Sequence, residues 1–516
     1  MNNLASIIDG HPAESPALIS RGETTTYGQL RERVGAVRGA LKAAGVQPGD
    51  TVALVCGNST TFVVAYLATL GVGAVAVPMN VVSPAAEIDR ELQVVNPVAV
   101  FIDPAAVNTW KSIDTSRLPK LKLVVATEGH DIPGAVSMSS LLGYSPSEIV
   151  EVESSALAAL IFTSGTAGAP RAAMLTHRNL RANLEQLERS TVMRSSDVVY
   201  GVLPVFHIFG LNVMLGYSLY RGASIVLVQR FDPSTAVDTI RDRKVTVVPG
   251  APPVWTALSQ LPGLQASDLA SVRIALTGAA KMPEETIAIM RDRFGVEVRE
   301  GYGLTEASPV VTSSMGHELR IGSVGRPIEG VELRLVDDSG DEVEDGDEGE
   351  IWVRGANVFA GYLNDPVATS AVLTSDGWLK TGDLGVRDDD GYLFIVDRLK
   401  DLIIVSGFNV YPAEVEQVLL SHPDVDQAAV VGVPHPHTGE AVRAYVVTNG
   451  SPTVDEDAII QFCQQHLARY KCPSKVLFVS ELPTGGTGKV LRRSLDRKST
   501  RLNSSHIPLS RMPSSA

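Results

Sequence analysis

A short loop rich in glycine and hydroxyl side chains follows an apolar run near the middle of the chain. Residues 156–162 (ALAALIF) lead directly into Thr163, Ser164, Gly165, Thr166, Ala167, Gly168, Ala169, Pro170 and Arg171. Glycines let the backbone approach an anion, hydroxyl and amide groups donate to its oxygens, and a guanidinium neutralises its charge. The loop therefore predicts a phosphate-binding site, although an ordinary turn after a buried strand has the same composition.

The loop is not that of the common P-loop nucleoside triphosphatases, because no Gly-Lys-Ser or Gly-Lys-Thr follows its glycines. It resembles the signature Thr-Ser-Gly-Thr-Thr-Gly-x-Pro-Lys-Gly of the adenylate-forming superfamily, which includes the acyl-CoA synthetases. Three positions depart from that signature, namely Ala167, Arg171 and Ala172. The arginine keeps a cation that binds phosphate, whereas the alanine at 167 removes one hydroxyl donor.

A second motif, residues 301–307 (GYGLTEA), matches the same family. In that family the tyrosine stacks on adenine, the threonine contacts the α-phosphate, and the glutamate helps to bind Mg²⁺. These roles suit a flat aromatic ring, a hydroxyl donor and a hard oxygen ligand. The resemblance assigns them to Tyr302, Thr305 and Glu306.

Two further segments of the N-terminal part match the family. Residues 203–210 (LPVFHIFG) resemble the segment beside the acyl pocket, which implies that His207 positions the substrate and does not transfer a proton. A single histidine in an apolar segment is otherwise most often structural. Residues 277–280 resemble the backbone shelf that receives adenine, with the contacts at Gly278, Ala279 and Ala280.

Two short motifs mark the end of the N-terminal part. In residues 381–384 (TGDL), Asp383 has the place of the carboxylate that accepts from both ribose hydroxyls. In residues 397–401 (DRLKD), Arg398 has the place of the cation beside ribose and phosphate, and Lys400 has that of a hinge. An ordinary surface ion pair is the alternative for each, but their order along the chain is that of the family.

Two loops of the C-terminal part complete the resemblance. Residues 483–489 (PTGGTGK) match the loop whose lysine enters the active site, which makes Lys489 the first candidate for a catalytic residue. Its ammonium group would bridge the substrate carboxylate and the α-phosphate, two anions that must approach each other. Residues 404–409 would line the approach of the thiol, with Ser406 and Gly407 as candidate contacts.

Helical and extended segments alternate through the first three quarters of the chain. Residues 27–45 carry apolar residues at helical spacing and end at a glycine, and residues 51–56 indicate a buried strand. Strands separated by helices pair in parallel, so the alternation predicts an α/β fold with mainly parallel sheets. After residue 397 the elements shorten and indicate a small α+β domain.

These patterns predict three segments. We expect an adenylate-forming domain over residues 1–398, a mobile lid domain over 399–497 and a disordered tail over 498–516. The tail resembles translated sequencing-adapter read-through from Lys498 to His506, which makes it a candidate for a non-native extension. The acidic stretch 337–350 predicts a solvated hairpin turn.

Composition excludes several classes of protein. A chain of 516 residues with 44% hydrophobic residues supports large buried cores, and a net charge of −14 argues against a nucleic-acid partner. Three scattered cysteines, Cys56, Cys463 and Cys472, indicate no disulfide framework and a reducing, cytoplasmic setting. No apolar stretch is long enough for a membrane span, so any membrane contact is expected to be peripheral.

The resemblance implies two half-reactions. A carboxylate attacks the α-phosphorus of ATP with Mg²⁺ to give acyl-AMP and pyrophosphate, and coenzyme A then takes the acyl group. A medium- or long-chain fatty acid is the first expectation for the acid, and aryl acids such as benzoates or cinnamates are the second. Acyl-AMP ligases that load carrier proteins and a non-catalytic acyl or nucleotide binder are the alternatives.

Substitution of Lys489 tests the catalytic role that the resemblance assigns to it. Lys489→Ala should lower the rate of acyl-AMP formation by roughly 10²–10³-fold, the usual loss for one electrostatic donor, and largely spare thioester formation from preformed acyl-AMP. The two half-reactions are measured separately, by pyrophosphate release and by thioester formation. An equal loss in both would contradict the role.

Overall fold

The computed structural model describes most of the chain in two compact units. The first unit comprises Met1–Asp347, Ile351–Thr381 and Arg387–Phe394, and the second comprises Glu348–Glu350, Gly382–Val386 and the chain from Ile395 onward. The predicted tail lies outside the described residues. These are residues 2–83, 85–127, 132–163, 171–190, 193–398, 403–405, 408–410, 412–435, 439–450, 454–467, 469–484, 490 and 495.

The strands are numbered in chain order. They are β1 (Pro16–Ser20), β2 (Glu23–Thr26), β3 (Thr51–Val55), β4 (Val75–Pro78), β5 (Ala99–Ile102), β6 (Leu123–Ala126), β7 (Val136–Ser137), β8 (Leu157–Thr163), β9 (Arg171–Thr176), β10 (Val198–Gly201), β11 (Ser224–Leu227), β12 (Val247–Gly250), β13 (Ile274–Thr277), β14 (Val298–Gly303), β15 (Val310–Ser313), β16 (Arg326–Pro327), β17 (Val331–Val336), β18 (Glu348–Gly355), β19 (Leu379–Arg387), β20 (Leu393–Arg398), β21 (Ile403–Val405), β22 (Phe408–Val410), β23 (Val425–His435), β24 (Gly439–Thr448) and β25 (Lys475–Phe478).

The α-helices are numbered in the same way. They are α1 (Tyr27–Ala43), α2 (Thr60–Gly71), α3 (Ala85–Val95), α4 (Val107–Lys111), α5 (Met138–Leu141), α6 (His177–Ser190), α7 (Ser218–Arg221), α8 (Pro233–Asp242), α9 (Pro252–Ser259), α10 (Glu284–Phe294), α11 (Pro366–Val372), α12 (Pro412–Leu420) and α13 (Glu456–His466). A π-helix spans Phe209–Tyr217, and short 3₁₀ turns include Thr305–Ala307.

Helix α1 begins and ends as the sequence predicts. Thr26 and Gln29 form a capping box at its start, in which each side chain accepts from the other's backbone N–H. Gly45 follows its last turn with a φ of +80°, a left-handed conformation that favours glycine. The apolar positions at helical spacing are buried, including Leu30, Val34 and Leu41.

A seven-stranded sheet has the order β7-β6-β5-β3-β4-β8-β9. Its strands run parallel except for β9, which pairs antiparallel with β8 at the edge. The central strands are apolar on both faces because helices cover the sheet, as expected for a parallel sheet. The β8–β9 hairpin brings Thr163 opposite Arg171.

A nine-stranded sheet has the order β16-β15-β14-β13-β12-β10-β11-β1-β2. The six strands from β14 to β1 are parallel, and β15, β16 and β2 add antiparallel pairs at the two edges. Strand β14 delivers the GYG motif at its carboxyl end. Together the two large sheets confirm the predicted α/β class with mainly parallel sheets.

The strands β17 to β20 form a four-stranded sheet in sequence order. Within the first unit, cations and indole rings alternate on this sheet. The guanidinium of Arg334 lies 4.7 Å from the Trp352 ring and 4.2 Å from the Trp378 ring, and Arg354 lies 4.6 Å from the Trp378 ring. Such contacts each contribute roughly 0.5–1 kcal/mol at partly exposed sites. The stack therefore adds to the stability of the sheet, in which Val336, Trp352 and Trp378 form a buried apolar cluster.

The acidic stretch after β17 forms the predicted turn. One oxygen of the Asp337 carboxylate accepts from the backbone N–H groups of Ser339 and Asp341, at 2.8 and 3.0 Å. Aspartate commonly closes a turn in this way.

The second unit contains a five-stranded sheet of the order β22-β21-β24-β23, with β25 parallel to β24. Its core includes side chains of α12 and α13, such as Val415, Leu419, Ile459 and Cys463, packed with Val430 and Val446 of the sheet. This is the small α+β unit that the sequence predicts. In the described parts of the chain, no helix is both long and apolar enough to cross a membrane.

Gly325, at the edge of the nine-stranded sheet, and Gly340, in the turn after β17, separate the cost of close packing from that of a left-handed backbone. Gly325 has a φ of +86°, and a Cβ there would lie 2.1 Å from the carbonyl carbon of Ser313 in the neighbouring strand. Gly340 has a φ of +90° with nothing within 4 Å of such a Cβ. Gly340→Ala should cost about 1–2 kcal/mol from the left-handed backbone alone, and Gly325→Ala about 1–3 kcal/mol more from overpacking.

The measurement is urea unfolding followed by tryptophan fluorescence, because all four tryptophans lie in the first unit. Equal losses in the two variants would show that the backbone contact at Gly325 relaxes without cost.

Candidate active site

The predicted phosphate loop is held at its two ends by the β8–β9 hairpin. Thr163 and Arg171 form the last antiparallel pair, and the Thr163 hydroxyl donates to the Arg171 carbonyl at 3.5 Å. Both side chains are half-buried. The structure therefore brings the first hydroxyl and the cation of the loop together. The loop residues between them, Ser164, Gly165, Thr166 and Gly168 among the predicted contacts, lie outside the described residues.

Glu306 lies in a 3₁₀ turn that begins directly after β14, and a tyrosine distant in sequence contacts it. The Tyr362 hydroxyl donates to Oε1 of Glu306 at 2.6 Å, and the backbone N–H of Phe359 donates to the Glu306 carbonyl at 2.8 Å. Burial and the Glu306 charge raise the pKa of Tyr362 above its ordinary value, so the phenol keeps its proton. Tyr362 could not be predicted from the sequence, because no short motif links it to residue 306.

A network of buried side-chain amides supports the backbone around this turn. The Asn212 amide donates to the Ser308 carbonyl at 2.7 Å, and the Asn357 amide donates to the Ala307 carbonyl at 2.9 Å. The Asn183 amide donates to the carbonyl of Val310 and accepts from its N–H. These amides bind buried backbone groups of the turn and of the first residue of β15, which fixes an irregular loop in the interior.

Tyr302 and Thr305, the predicted adenine and phosphate contacts, flank the end of β14. Tyr302 pairs with Thr312 of β15 and is half-buried, as is Thr305. A Cβ at Gly303 would lie 2.1 Å from the Pro309 carbonyl oxygen, so only glycine allows the two chain segments this approach. The motif thus places the candidate contacts Tyr302 and Thr305 on either side of a close approach between the backbone at Gly303 and at Pro309.

The predicted adenine shelf follows the neighbouring strand β13. Gly278 is buried, whereas Ala279 and Ala280 are exposed. Ala279 adopts a φ of +71°, an uncommon conformation for a residue with a Cβ. A Cβ at Gly278 would lie 3.3 Å from the Gly301 carbonyl oxygen and 3.6 Å from the Phe209 ring. The shelf, the GYG motif and an aromatic ring are therefore neighbours.

His207 lies in a turn that leads into the π-helix. Its Nδ1 accepts from the Phe209 backbone N–H at 3.3 Å, so a neutral ring carries its proton on Nε2. Asn58 fixes the same turn by donating to the carbonyls of Gly201 and Leu203 and accepting from Val205 N–H. A neutral His207 ring is therefore a hydrogen-bond donor at Nε2, and its role in positioning the substrate stays a prediction.

Two of the remaining predicted contacts belong to the second unit. Asp383 is buried, and the preceding Gly382 N–H donates to the Glu350 carboxylate at 3.0 Å. Arg398 ends β20, and its side chain lies outside what the structure describes. The other predicted residues outside the described ranges are Lys400, Ser406, Gly407 and Lys489.

Mg²⁺ is usually bound by one or two carboxylates together with substrate phosphates and water. Glu306 fits that chemistry, because it is a half-buried carboxylate with one oxygen held by a phenol. Among the described residues no group of three or more histidine, cysteine, aspartate or glutamate side chains forms a metal cage. A metal bound mainly through ATP is the arrangement that these residues suit.

The fold and the motifs define the class of the protein, an ATP-dependent ligase that joins an acid to a thiol and releases AMP. Comparison with known families confirms this class. The model of the AMP-binding enzyme family matches residues 5–363, and that of the AMP-binding enzyme C-terminal domain matches residues 414–489. The chain belongs to the AMP-binding enzyme family, within the adenylate-forming superfamily.

Relatives match the chain over nearly its whole length. A feruloyl-CoA synthase of Amycolatopsis sp. is 36% identical over 479 residues, covering 92% of this chain and 94% of the relative. The 4-coumarate–CoA ligase 2 of Nicotiana tabacum is 34% identical, covering 92% and 89%. The crystal structure of ATP-bound MatB from Rhodopseudomonas palustris superposes with a TM-score of 0.90 at 33% identity, covering 97% and 99%.

A buried carboxyl group lies behind the shelf and also could not be predicted from the sequence. Glu300 of β14 is 5% exposed, and its Oε1 accepts from the Met282 N–H at 3.4 Å. Its Oε2 has no hydrogen-bond partner among the described residues. Burial raises the pKa of Glu300 to about 7. The only sequence signal was a charged residue inside a buried strand.

This pKa predicts a pH-dependent stability. From its ordinary value of 4.5 the pKa of Glu300 rises to about 7 on folding, so the folded state binds the proton more tightly. The free energy of unfolding therefore falls as pH rises through this interval. Glu300→Gln removes this titration. The free energy of unfolding of the variant, relative to that of wild type, should therefore rise by about 3 kcal/mol as the pH is raised from about 4 to about 8.

Urea unfolding of both proteins across this pH range measures the difference. Glu285→Gln, the same change at an exposed position of α10, serves as the control and should follow the wild-type profile. Parallel profiles for wild type and Glu300→Gln would contradict the assignment.

Proposed function

We propose that the protein is an aryl–CoA ligase, which activates an aromatic carboxylic acid with ATP and transfers the acyl group to coenzyme A. The observation that carries the proposal is the place of the Phe209 ring beside the end of β13, 3.6 Å from where a Cβ at Gly278 would lie. An aromatic ring there offers a flat apolar surface on which the ring of an aryl acid can pack. The names of the relatives, feruloyl-CoA synthase and 4-coumarate–CoA ligase, support the same substrate class.

The proposal reverses the order of preference that the motifs alone suggested. A medium- or long-chain fatty acid, the first expectation from the sequence, becomes the second candidate. Apolar walls accept an aliphatic chain as well, so a direct comparison of acids is needed to separate the two.

The first half-reaction needs charge neutralisation and positioning more than covalent chemistry. Arg171 and Thr163 would bind the phosphates on the pyrophosphate side, and Thr305 would contact the α-phosphate. Glu306 would hold Mg²⁺, which supplies charge neutralisation when bound. His207 would donate from Nε2 to the carboxylate region of the acid and so orient it.

The other roles follow the family motifs. Tyr302 would stack on adenine against the shelf of residues 278–280, Asp383 and Arg398 would bind the ribose, and Lys489 would bridge the two reacting anions. For the second half-reaction, the hinge at Lys400 would allow the thiol to approach along Ser406 and Gly407. A cytoplasmic location is part of the proposal, because all three cysteines are free and buried.

Comparison of acids tests the proposal. Pyrophosphate release and thioester formation are measured with ATP, coenzyme A and a panel of 4-coumarate, ferulate, benzoate, octanoate and palmitate. We expect kcat/KM for an aryl acid to exceed that for either aliphatic acid by at least about tenfold, the value of about 1.4 kcal/mol in binding the transition state. Phe209→Leu should reduce that ratio, whereas Phe478→Leu, the same change at an exposed position of the second unit, should not.

The alternatives predict different results. A higher kcat/KM for octanoate or palmitate would establish the fatty-acid candidate. Pyrophosphate release without thioester formation would favour a ligase that loads a carrier protein. No release with any acid would favour a non-catalytic binder.

A further inference from the structure

We propose that Tyr362 is a positioning residue that holds the Glu306 carboxylate in the orientation that Mg·ATP requires. The proposal rests on the proposed function, because it concerns the carboxylate assigned to the metal. The Tyr362 hydroxyl donates a hydrogen bond to Oε1 of Glu306 at 2.6 Å. A carboxylate with one oxygen fixed presents the other in a defined direction, which is how hydrogen-bonded partners tune metal ligands.

Both ends of Glu306 are held by the same short segment, residues 359–362. Phe359 N–H donates to the Glu306 carbonyl at 2.8 Å, and Tyr362 holds its side chain. The rings of Phe359 and Tyr362 pack edge to face with centroids 5.0 Å apart. A side chain fixed at both its main chain and its terminal oxygen loses little further freedom when a ligand binds.

The segment itself is tied to β9, the strand that begins at the end of the phosphate loop. Met174 N–H donates to the Gly361 carbonyl and Ala360 N–H to the Met174 carbonyl, both at 2.9 Å. Leu363 N–H donates to the Ala172 carbonyl at 2.9 Å. These bonds extend the edge of the sheet by an irregular strand. The segment that holds Glu306 is therefore hydrogen-bonded to the strand that directly follows the phosphate loop.

Arg171 joins the same group of side chains. Its Nε lies 3.3 Å from the Asp365 carboxylate, and its guanidinium lies 5.9 Å from the centre of the Tyr362 ring. The other oxygen of Asp365 caps α11 by accepting from Ala368 N–H at 2.9 Å. A planar guanidinium makes an ion pair at its edge and packs its face on a ring at the same time, which a lysine ammonium does not. Arg171 thus links the loop to the phenol that holds Glu306.

Tyr362→Phe tests the proposal, because it keeps the ring and its packing and removes one hydroxyl. ATP binding is measured by isothermal titration calorimetry, once with Mg²⁺ and once with EDTA. We expect the affinity for ATP with Mg²⁺ to fall roughly tenfold or more, the scale of losing one hydrogen bond to a charged group, and the affinity with EDTA to stay within about twofold. The melting temperature reports on folding separately.

Tyr392→Phe is the matched control. Tyr392 is also buried, its hydroxyl donates to the Glu318 carbonyl at 3.1 Å, and arginine guanidinium groups lie 4.1 and 4.4 Å from its ring centre. Deleting this hydroxyl should leave both ATP affinities unchanged. A loss confined to the Mg²⁺ arm in Tyr362→Phe, and absent from the control, supports the positioning role.

Equal losses of affinity in the two arms for Tyr362→Phe, or a lower melting temperature with no change in either affinity, would overturn it. So would wild-type ATP binding that does not depend on Mg²⁺. Failure of the proposed function would be seen in a different measurement. The wild-type protein would bind Mg·ATP but release no pyrophosphate with any acid. In that case a selective loss in Tyr362→Phe would still support the positioning role.

Discussion

The candidate site depends on one constraint. The buried N–H and C=O groups of an irregular stretch of backbone, residues 304–310, must find hydrogen-bond partners inside the protein. This stretch follows β14, reverses direction and returns as β15, so its N–H and C=O groups have few strand partners. The amides of Asn183, Asn212 and Asn357 supply those partners, and all three are almost fully buried. Leaving such groups unpaired in the interior would cost about 1–3 kcal/mol each, so the network specifies a single loop conformation.

Helix α6 shows how one element organises several loops at once. Asn179, Asn183 and Gln186 recur at helical spacing and share a face. Asn179 donates to the carbonyls of Ala356 and Val358, Asn183 binds Val310, and Gln186 donates to Gly330 and Asn357. A helix begun directly after β9 therefore fixes the backbone on either side of Glu306. The proposed metal carboxylate therefore depends on a helix that starts where β9 ends.

Sequence patterns predicted the parallel sheets, the small second unit and the motifs at strand ends, because these depend on local spacing. They did not predict Tyr362 or the amide network. The partners Tyr362 and Glu306 are 56 residues apart, and Asn183 and Val310 are 127 apart. No local periodicity encodes such pairs, since they form only when distant segments pack. Glu300 could not be predicted for a related reason, because no local sequence pattern indicates that a charged residue of a strand will be buried with one of its two oxygens lacking a partner among the described residues.

The arginine at the end of the phosphate loop is better understood with its surroundings than as an isolated departure from a signature. A lysine at residue 171 would supply a point charge to the phosphates, whereas the guanidinium also pairs with Asp365 and packs on Tyr362. That cation is partly neutralised by its carboxylate partner before any ligand arrives. Its field at a phosphate ligand would therefore be weaker than that of an unpaired cation, while its position is more strongly fixed. The ion pair and the ring contact thus exchange some electrostatic attraction at residue 171 for a fixed position of Arg171 beside the phenol that holds Glu306.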